Sequence, residues 1–114
     1  MRYFPSLKKN TDFRRIYKEG AKTASPNFVM YVLKNEEGMS RLGISASRRY
    51  GNSVERHRFQ RRIREIFRAF SDVTKNGYDM IIVARNKAKY SEYSELCEDF
   101  RKLLISHDIF IGSK

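Results

Sequence analysis

Nine arginines and no lysine occupy the 28 residues from Arg41 to Arg68, opposed only by Glu55 and Glu65. A guanidinium grips phosphate oxygens two at a time through a planar fork and stacks on flat rings, where a lysine offers a mobile point charge. The chemistry open to these residues is recognition of a phosphate backbone. The densest stretch reads Arg56-His57-Arg58-Phe59-Gln60-Arg61-Arg62-Ile63-Arg64-Glu65. A charge run ordinarily marks a solvated helix face. Here the charge has one sign, is clustered, and belongs to a chain of net charge +11 with a sequence pI near 10.0. That combination indicates nucleic-acid binding. His57, between two arginines, has two open roles: donor to a phosphate or stacking partner of a base, or a plain capping or surface residue.

Side-chain catalysis finds little support. His57 and His107 match no metal-ligand spacing, and the chain has no nucleophile elbow, no phosphate-cradling glycine loop and no HExxH. Asp12, Asp72, Asp79 and Asp99 would hold a divalent cation only if folding gathered them. Cys97 stands alone, which excludes an internal disulfide and a cysteine-based zinc finger. It reads as a small core residue, and His107 as an exposed one near the tail.

Hydropathy outlines the scaffold for these groups. Thr11 to Gly20 reads as a first helix: Thr11 or Asp12 can cap its start, Phe13, Ile16 and Tyr17 share a face, and Gly20 ends it. Asn27 to Asn35 alternates as a strand, with Phe28, Met30 and Val32 on one side and Val29, Tyr31 and Leu33 on the other. The turn Glu36-Glu37-Gly38-Met39 predicts an antiparallel hairpin into the next strand, Arg41 to Arg48. There Leu42, Ile44 and Ala46 face one way, and Gly43, Ser45 and Ser47 the other. So small a face either leaves room for something to lie on the sheet or is lightly covered and solvated.

Ser53 is placed to cap a helix running to about Phe70. Phe59, Ile63, Ile66, Phe67 and Phe70 form its apolar stripe; His57, Arg58, Arg61, Arg64 and Arg68 fall on the opposite arc. Tyr78 to Arg85 reads as a strand buried on both faces. Ser91 to about Ile105 reads as an amphipathic helix using Tyr93, Leu96, Cys97, Phe100, Leu103 and Leu104. The order is α-β-β-α-β-α, an α+β sandwich with a small sheet. If the second and third strands are adjacent and parallel, the basic helix is their crossover, and the general rule favours a right-handed one. A DNA-reading helix-turn-helix fits poorly, because both neighbours of the basic helix read as strands. An open sheet face edged by aromatics and arginine suits single-stranded or structured RNA better.

At 114 residues, 40% apolar and 13% aromatic, the chain is expected to be one domain, 1–114, rather than a disordered basic tail. The N-terminal Met1-Arg2-Tyr3-Phe4-Pro5-Ser6-Leu7-Lys8-Lys9 leads into no apolar run of signal-peptide length, and Met80 to Ala84 is far too short to span a bilayer. A cytoplasmic protein with no membrane partner is the expectation.

The segment Ser45-Ala46-Ser47-Arg48-Arg49-Tyr50-Gly51-Asn52-Ser53-Val54-Glu55-Arg56-His57-Arg58-Phe59-Gln60-Arg61-Arg62-Ile63-Arg64-Glu65 resembles the signature of the bacterial ribonuclease P protein subunit. That signature runs basic-basic-x-Gly-x-(Ala/Ser)-Val-x-Arg-Asn-Arg-x-(Lys/Arg)-Arg-x-x-Arg-Glu. Lys8-Lys9-Asn10-x-Asp12-Phe13, Phe28-Val29-x-Tyr31 and Asp79-x-Ile81-Ile82-x-Ala84-Arg85 match in order and spacing, so the resemblance spans roughly Leu7 to Leu104. His57 departs from the Asn of Arg-Asn-Arg, and Gln60 takes a place often held by Lys.

The resemblance implies a small mixed sheet with a left-handed βαβ crossover, the ribosomal protein S5 domain 2-like fold, against the general handedness. It implies a protein cofactor of a catalytic RNA whose Mg²⁺-dependent hydrolysis matures the 5′ end of precursor tRNA. The chain would then be a subunit of an endoribonuclease, with no catalytic side chain and no bound cofactor or metal of its own. Its partners would be the RNA subunit and precursor tRNA, with no small-molecule substrate and no obligate protein partner. Carried over by position, RNA-subunit binding falls on Arg48, Arg49, Arg56, His57, Arg58, Arg61, Arg62, Arg64 and Arg68. The cleft for the 5′ leader falls on Phe13, Tyr17 and Tyr31, with Gly43, Ser45 and Ser47 as its floor. Phe13 and Tyr17 have a competing role as core anchors of the first helix. Two other classes remain: a ribosomal or RNA-chaperone protein with no part in cleavage, and a metal-dependent nuclease acting without RNA.

Overall fold

Strand β4 (Tyr78–Ala84) is the hub of the computed structural model, which describes residues 6–112. It pairs antiparallel with β2 (Phe28–Lys34) and parallel with β3 (Arg41–Ser45). A further strand, β1 (Ala21–Ala24), pairs with the free side of β2, so the mixed sheet runs β1-β2-β4-β3. Helices α1 (Asn10–Glu19), α2 (Ser53–Ala69) and α3 (Tyr93–Ser106) complete an α+β fold, with α2 linking β3 to the parallel β4.

The expected hairpin between β2 and β3 does not form. Glu36 to Met39 does turn, with Gly38 at φ +74°, but β4 lies between the two strands. Met80, Ile81 and Ile82 are fully buried, and only a central strand has cover on both faces and both edges. β1 was not anticipated, because Ala-Lys-Thr-Ala has no apolar alternation; it exists by pairing with Val29 to Val32. β3 ends at Ser45, short of Arg48. Beyond its outer edge Ser6 bridges Leu42, and the Leu7 N–H donates to the Leu42 carbonyl at 2.8 Å. The N-terminal segment read for targeting, 1–5, lies outside the described residues.

One face of the sheet carries the main core. Phe28, Met30, Leu42, Met80 and Ile82 pack there against Phe59, Ile63, Ile66 and Phe67 of α2 and Leu96, Phe100 and Leu104 of α3. The other face carries α1, anchored by Ile16 with Leu7 and Ile81, and flanked by half-buried Phe13, Tyr31, Leu33 and Val83. Phe67 is only 5% exposed. Phe67→Ala is expected to lower stability by about 3–5 kcal/mol through a core cavity, read as a shifted midpoint in urea with little change of slope.

Local chemistry sets the helix ends. Asn52, not Ser53, caps α2: its side chain accepts from the Glu55 N–H at 2.9 Å, while Glu55 Oε1 accepts from the Asn52 N–H at 3.0 Å. This reciprocal box satisfies two orphan donors, which Ser53, one position into the helix, could not do. Helix α1 begins at Asn10 with Lys9 as N-cap and no side-chain cap, so Thr11 and Asp12 lie inside it. Gly20 closes α1, its N–H donating to the Ile16 carbonyl at 2.8 Å, and only glycine fits there because a Cβ would sit 2.7 Å from that same oxygen.

The second half departs from expectation in two places. A 3-10 turn, Asn86–Tyr90, precedes α3, which starts at Tyr93; Tyr93 is exposed rather than core. His107 is half-buried rather than exposed, its Nε2 has no hydrogen-bond partner, and burial lowers its pKa. Burial likewise raises the pKa of the half-buried Cys97 thiol. No helix among the described residues is long and apolar enough to cross a membrane.

Candidate nucleic-acid interface

The apolar stripe of α2 fixes where its arginines go. With Phe59, Ile63, Ile66 and Phe67 seated on the sheet, His57, Arg58, Arg61 and Arg64 are left exposed on the outer arc. Arg48 and Arg49, in the connection from β3, are exposed as well. None of these five arginines belongs to the ion pairs formed among the described residues.

Arg56, Arg62 and Arg68 are half-buried at the margins of the arc. Arg62 has an internal task, donating from Nη1 to the Ser91 carbonyl at 3.2 Å. Arg56 and His57 line a hollow with Ala46, Ser53 and Gln60. Of the nine positions expected to meet RNA, the structure therefore gathers six outward and three at the edges of the same helix.

The small-residue face has a different character. Phe13 covers Gly43: a Cβ there would meet Phe13 Cζ at 2.7 Å and Leu7 Cβ at 3.3 Å. Gly43 is thus a packing glycine beneath a ring, and the remaining floor is half-buried Ser45 and exposed Ser47. Tyr17 meets Tyr31 edge-on, ring centroids 4.8 Å apart and planes at 84°, and lies 6.2 Å from Phe13. Burial pushes the Tyr17 hydroxyl pKa up, with its hydrogen bond to Ser45 acting the other way. Tyr17 therefore spans from α1 to β3 yet stays 40% exposed. Lys22 Nζ stands 5.8 Å from the Tyr31 ring centre. Phe13 and Tyr31 both flank the smaller core, and Tyr31 forms with the more exposed Tyr17 an aromatic wall with a cation at its rim.

A buried ion cluster behind this wall was missed. Asp79 is fully buried at the start of β4, where Arg41 grips it through Nε at 2.8 Å and Nη2 at 2.7 Å. Asn35 Nδ2 donates to it at 2.8 Å, and Arg15 of α1 at 3.2 Å. Burial pushes the Asp79 carboxyl up, but the hydrogen bonds from Arg41, Asn35 and Arg15 outweigh it and hold its pKa below the ordinary range. Asp12 joins at the edge, 3.4 Å from Arg15 and 4.0 Å from Arg41. Folding thus brings Asp12 and Asp79 together around guanidinium groups, which occupy the carboxylates a cation would need. Asp99 accepts instead from Asn27 at 2.6 Å. Among the described residues no group of three His, Cys, Asp or Glu is arranged to hold a metal. The sequence signal was a lone aspartate opening an otherwise apolar strand.

Comparison with known proteins agrees with this geometry. The family model described as Ribonuclease P matches residues 1–108. The ribonuclease P protein component of Lachnoclostridium phytofermentans is 43% identical over 109 residues, covering 96% of this chain and 94% of the relative. A solved Staphylococcus aureus RNase P protein, a mutant with defective mRNA degradation activity, superposes with TM-score 0.85 at 37% identity, covering 92% of this chain and 89% of that one. The RNase P protein from Thermotoga maritima gives TM-score 0.80 at 32% identity, covering 90% and 96%.

Proposed function

The chain belongs to the ribonuclease P protein family, and from that premise we propose that it is the protein cofactor of a catalytic RNA that removes the 5′ leader of precursor tRNA. The observation that carries this reading is the arginine face of α2, where Arg58, Arg61 and Arg64 are exposed and belong to none of the ion pairs formed among the described residues. Its guanidinium groups, with Arg48 and Arg49, would neutralise phosphates of the RNA subunit and release counterions. Hydrolysis and its Mg²⁺ would reside in that RNA. The chain's own carboxylates near the cleft, Asp12 and Asp79, are engaged by Arg15 and Arg41.

The wall of Tyr17 and Tyr31 above Ser45 and Ser47 supports a cleft for the leader. Stacking contributes roughly 1–3 kcal/mol per base and tolerates any sequence, which suits a segment that varies between precursors. Tyr17→Ala is expected to weaken precursor tRNA binding by the holoenzyme by about that amount, leaving mature tRNA binding and RNA-subunit assembly nearly unchanged. Equal losses on precursor and mature tRNA, with a lowered melting temperature, would assign Tyr17 to the core alone.

The deciding experiment is reconstitution with the transcribed RNA subunit at low Mg²⁺, measuring precursor cleavage. Acceleration supports the reading. Binding without acceleration would place the protein among ribosomal or chaperone-type RNA binders, and cleavage without the RNA subunit would make it a nuclease.

A further inference from the structure

Helix α2 has a second flank, opposite the one that lines the hollow with Ala46. There Tyr50, Glu55, Arg58, Phe59, Arg62, Ala88, Lys89 and Tyr90 enclose a separate hollow. We propose that this hollow seats one unpaired nucleotide of the RNA subunit, its base stacked on Tyr90 and its phosphate held by Arg58 and Lys89. The proposal rests on the α2 face being the RNA-subunit surface.

Tyr90 is 82% exposed, more than any other large apolar side chain among the described residues. A single exposed ring is ordinary; a ring on a fastened backbone is less so. Ala88 and Ser91, on either side, are buried. The Ala88 N–H donates to the Arg85 carbonyl at 3.0 Å, and Ser91 Oγ donates to Asn27 Oδ1 at 2.6 Å. Arg62 reaches across from α2 to the Ser91 carbonyl. The turn is therefore fixed to both β2's approach and the basic helix, while the Tyr90 ring projects outward. Such a platform loses little freedom when a base lies on it.

Three cations, Arg58, Arg62 and Lys89, line the hollow against one carboxylate. Lys89 Nζ sits between two rings, 5.4 Å from the centre of Tyr50 and 5.9 Å from that of Tyr90. Arg58 borders the same hollow and is exposed. The carboxylate there, Glu55, is committed to the Asn52 N–H in the cap of α2. Cations beside an aromatic face fit a nucleotide, whose phosphate and base need one of each. The nucleotide must be unpaired, because a base inside a helix has no open face. It should come from the RNA subunit, not the leader, because α2 covers one face of the sheet and Phe13 and Tyr31 the other.

The test is binding of full-length variants to the transcribed RNA subunit across a salt series. Tyr90→Ala should bind about tenfold more weakly with an unchanged salt slope, since a neutral stacking partner is lost. Tyr90→Phe, which keeps the ring, should bind as the parent does. Lys89→Ala should weaken binding and also reduce the slope by roughly 0.7–0.9. Arg61→Ala, outside the hollow, serves as the control. If Arg61→Ala weakens binding and Tyr90→Ala does not, the nucleotide seat is overturned while the α2 reading stands. If neither variant changes binding, the α2 reading itself falls. A Tyr90→Ala loss confined to precursor over mature tRNA would give the hollow to the leader and overturn the assignment.

Discussion

Asp79→Ala is expected to destabilise the fold by about 3–5 kcal/mol, because removing one member of a buried ion pair leaves the other uncompensated. Arg41, its closest partner, would lose both hydrogen bonds, and Asn35 and Arg15 one each. The loss should also reach function, because Arg15 is the polar tie between α1 and β4. Loosening it moves the wall that carries Phe13 and Tyr17. The pH dependence has a definite sign. The folded pKa of Asp79 lies below the ordinary aspartate value of 3.8, so its contribution is fully present above that value. It is lost as pH falls through 3.8 toward the lowered folded pKa. Asp79→Asn, with no charge to titrate, should lack that component of acid unfolding. Urea titrations at neutral and acid pH check both statements; an Asp79→Ala protein as stable as the parent would remove the cluster from the stability account.

Replacing Arg58, Arg61 and Arg64 together by Ala should lower the magnitude of the salt slope for RNA-subunit binding by roughly 2–3, which near 0.1 M salt is about a hundred- to thousandfold in affinity. The deficit should shrink as salt is raised, because the lost contribution is counterion release. All three side chains are exposed and lie off the apolar stripe, so the melting temperature should hold. Filter binding across a salt series, paired with thermal melts, gives both quantities. An unchanged slope would remove this face from the interface.

What was legible in the sequence was whatever a local period could carry. The stripe from Phe59 to Phe67 announced α2 and its outward arginines, and the run Met80-Ile81-Ile82 announced a strand buried on both faces. What escaped depends on partners distant in the chain. Asp79 meets Arg41 and Arg15 across 38 and 64 residues, so nothing near it reveals an ion cluster. The turn at Gly38 is real but says nothing about which strands pair. β1 has no apolar alternation and borrows its order from β2. Gly43 and Ser45 carry the same small-residue signal, yet one lies under Phe13 and the other bonds Tyr17. Only the packing of α1 separates them.

The central place of β4 has a consequence for synthesis on the ribosome. Strand β4 (Tyr78–Ala84), one of the sheet's two inner strands, is also the last of its four strands to be made. Until it emerges, β2 has only the four-residue β1 beside it, and β3 has no strand partner. An isolated two-stranded ribbon is marginal in water. The nascent chain therefore exposes its complete arginine helix before any stable domain exists, and the long-range closure that follows is the slow kind. A chain arrested before Tyr78 should be sensitive to protease throughout, with resistance appearing in one step once β4 and α3, which completes the main core, clear the exit tunnel.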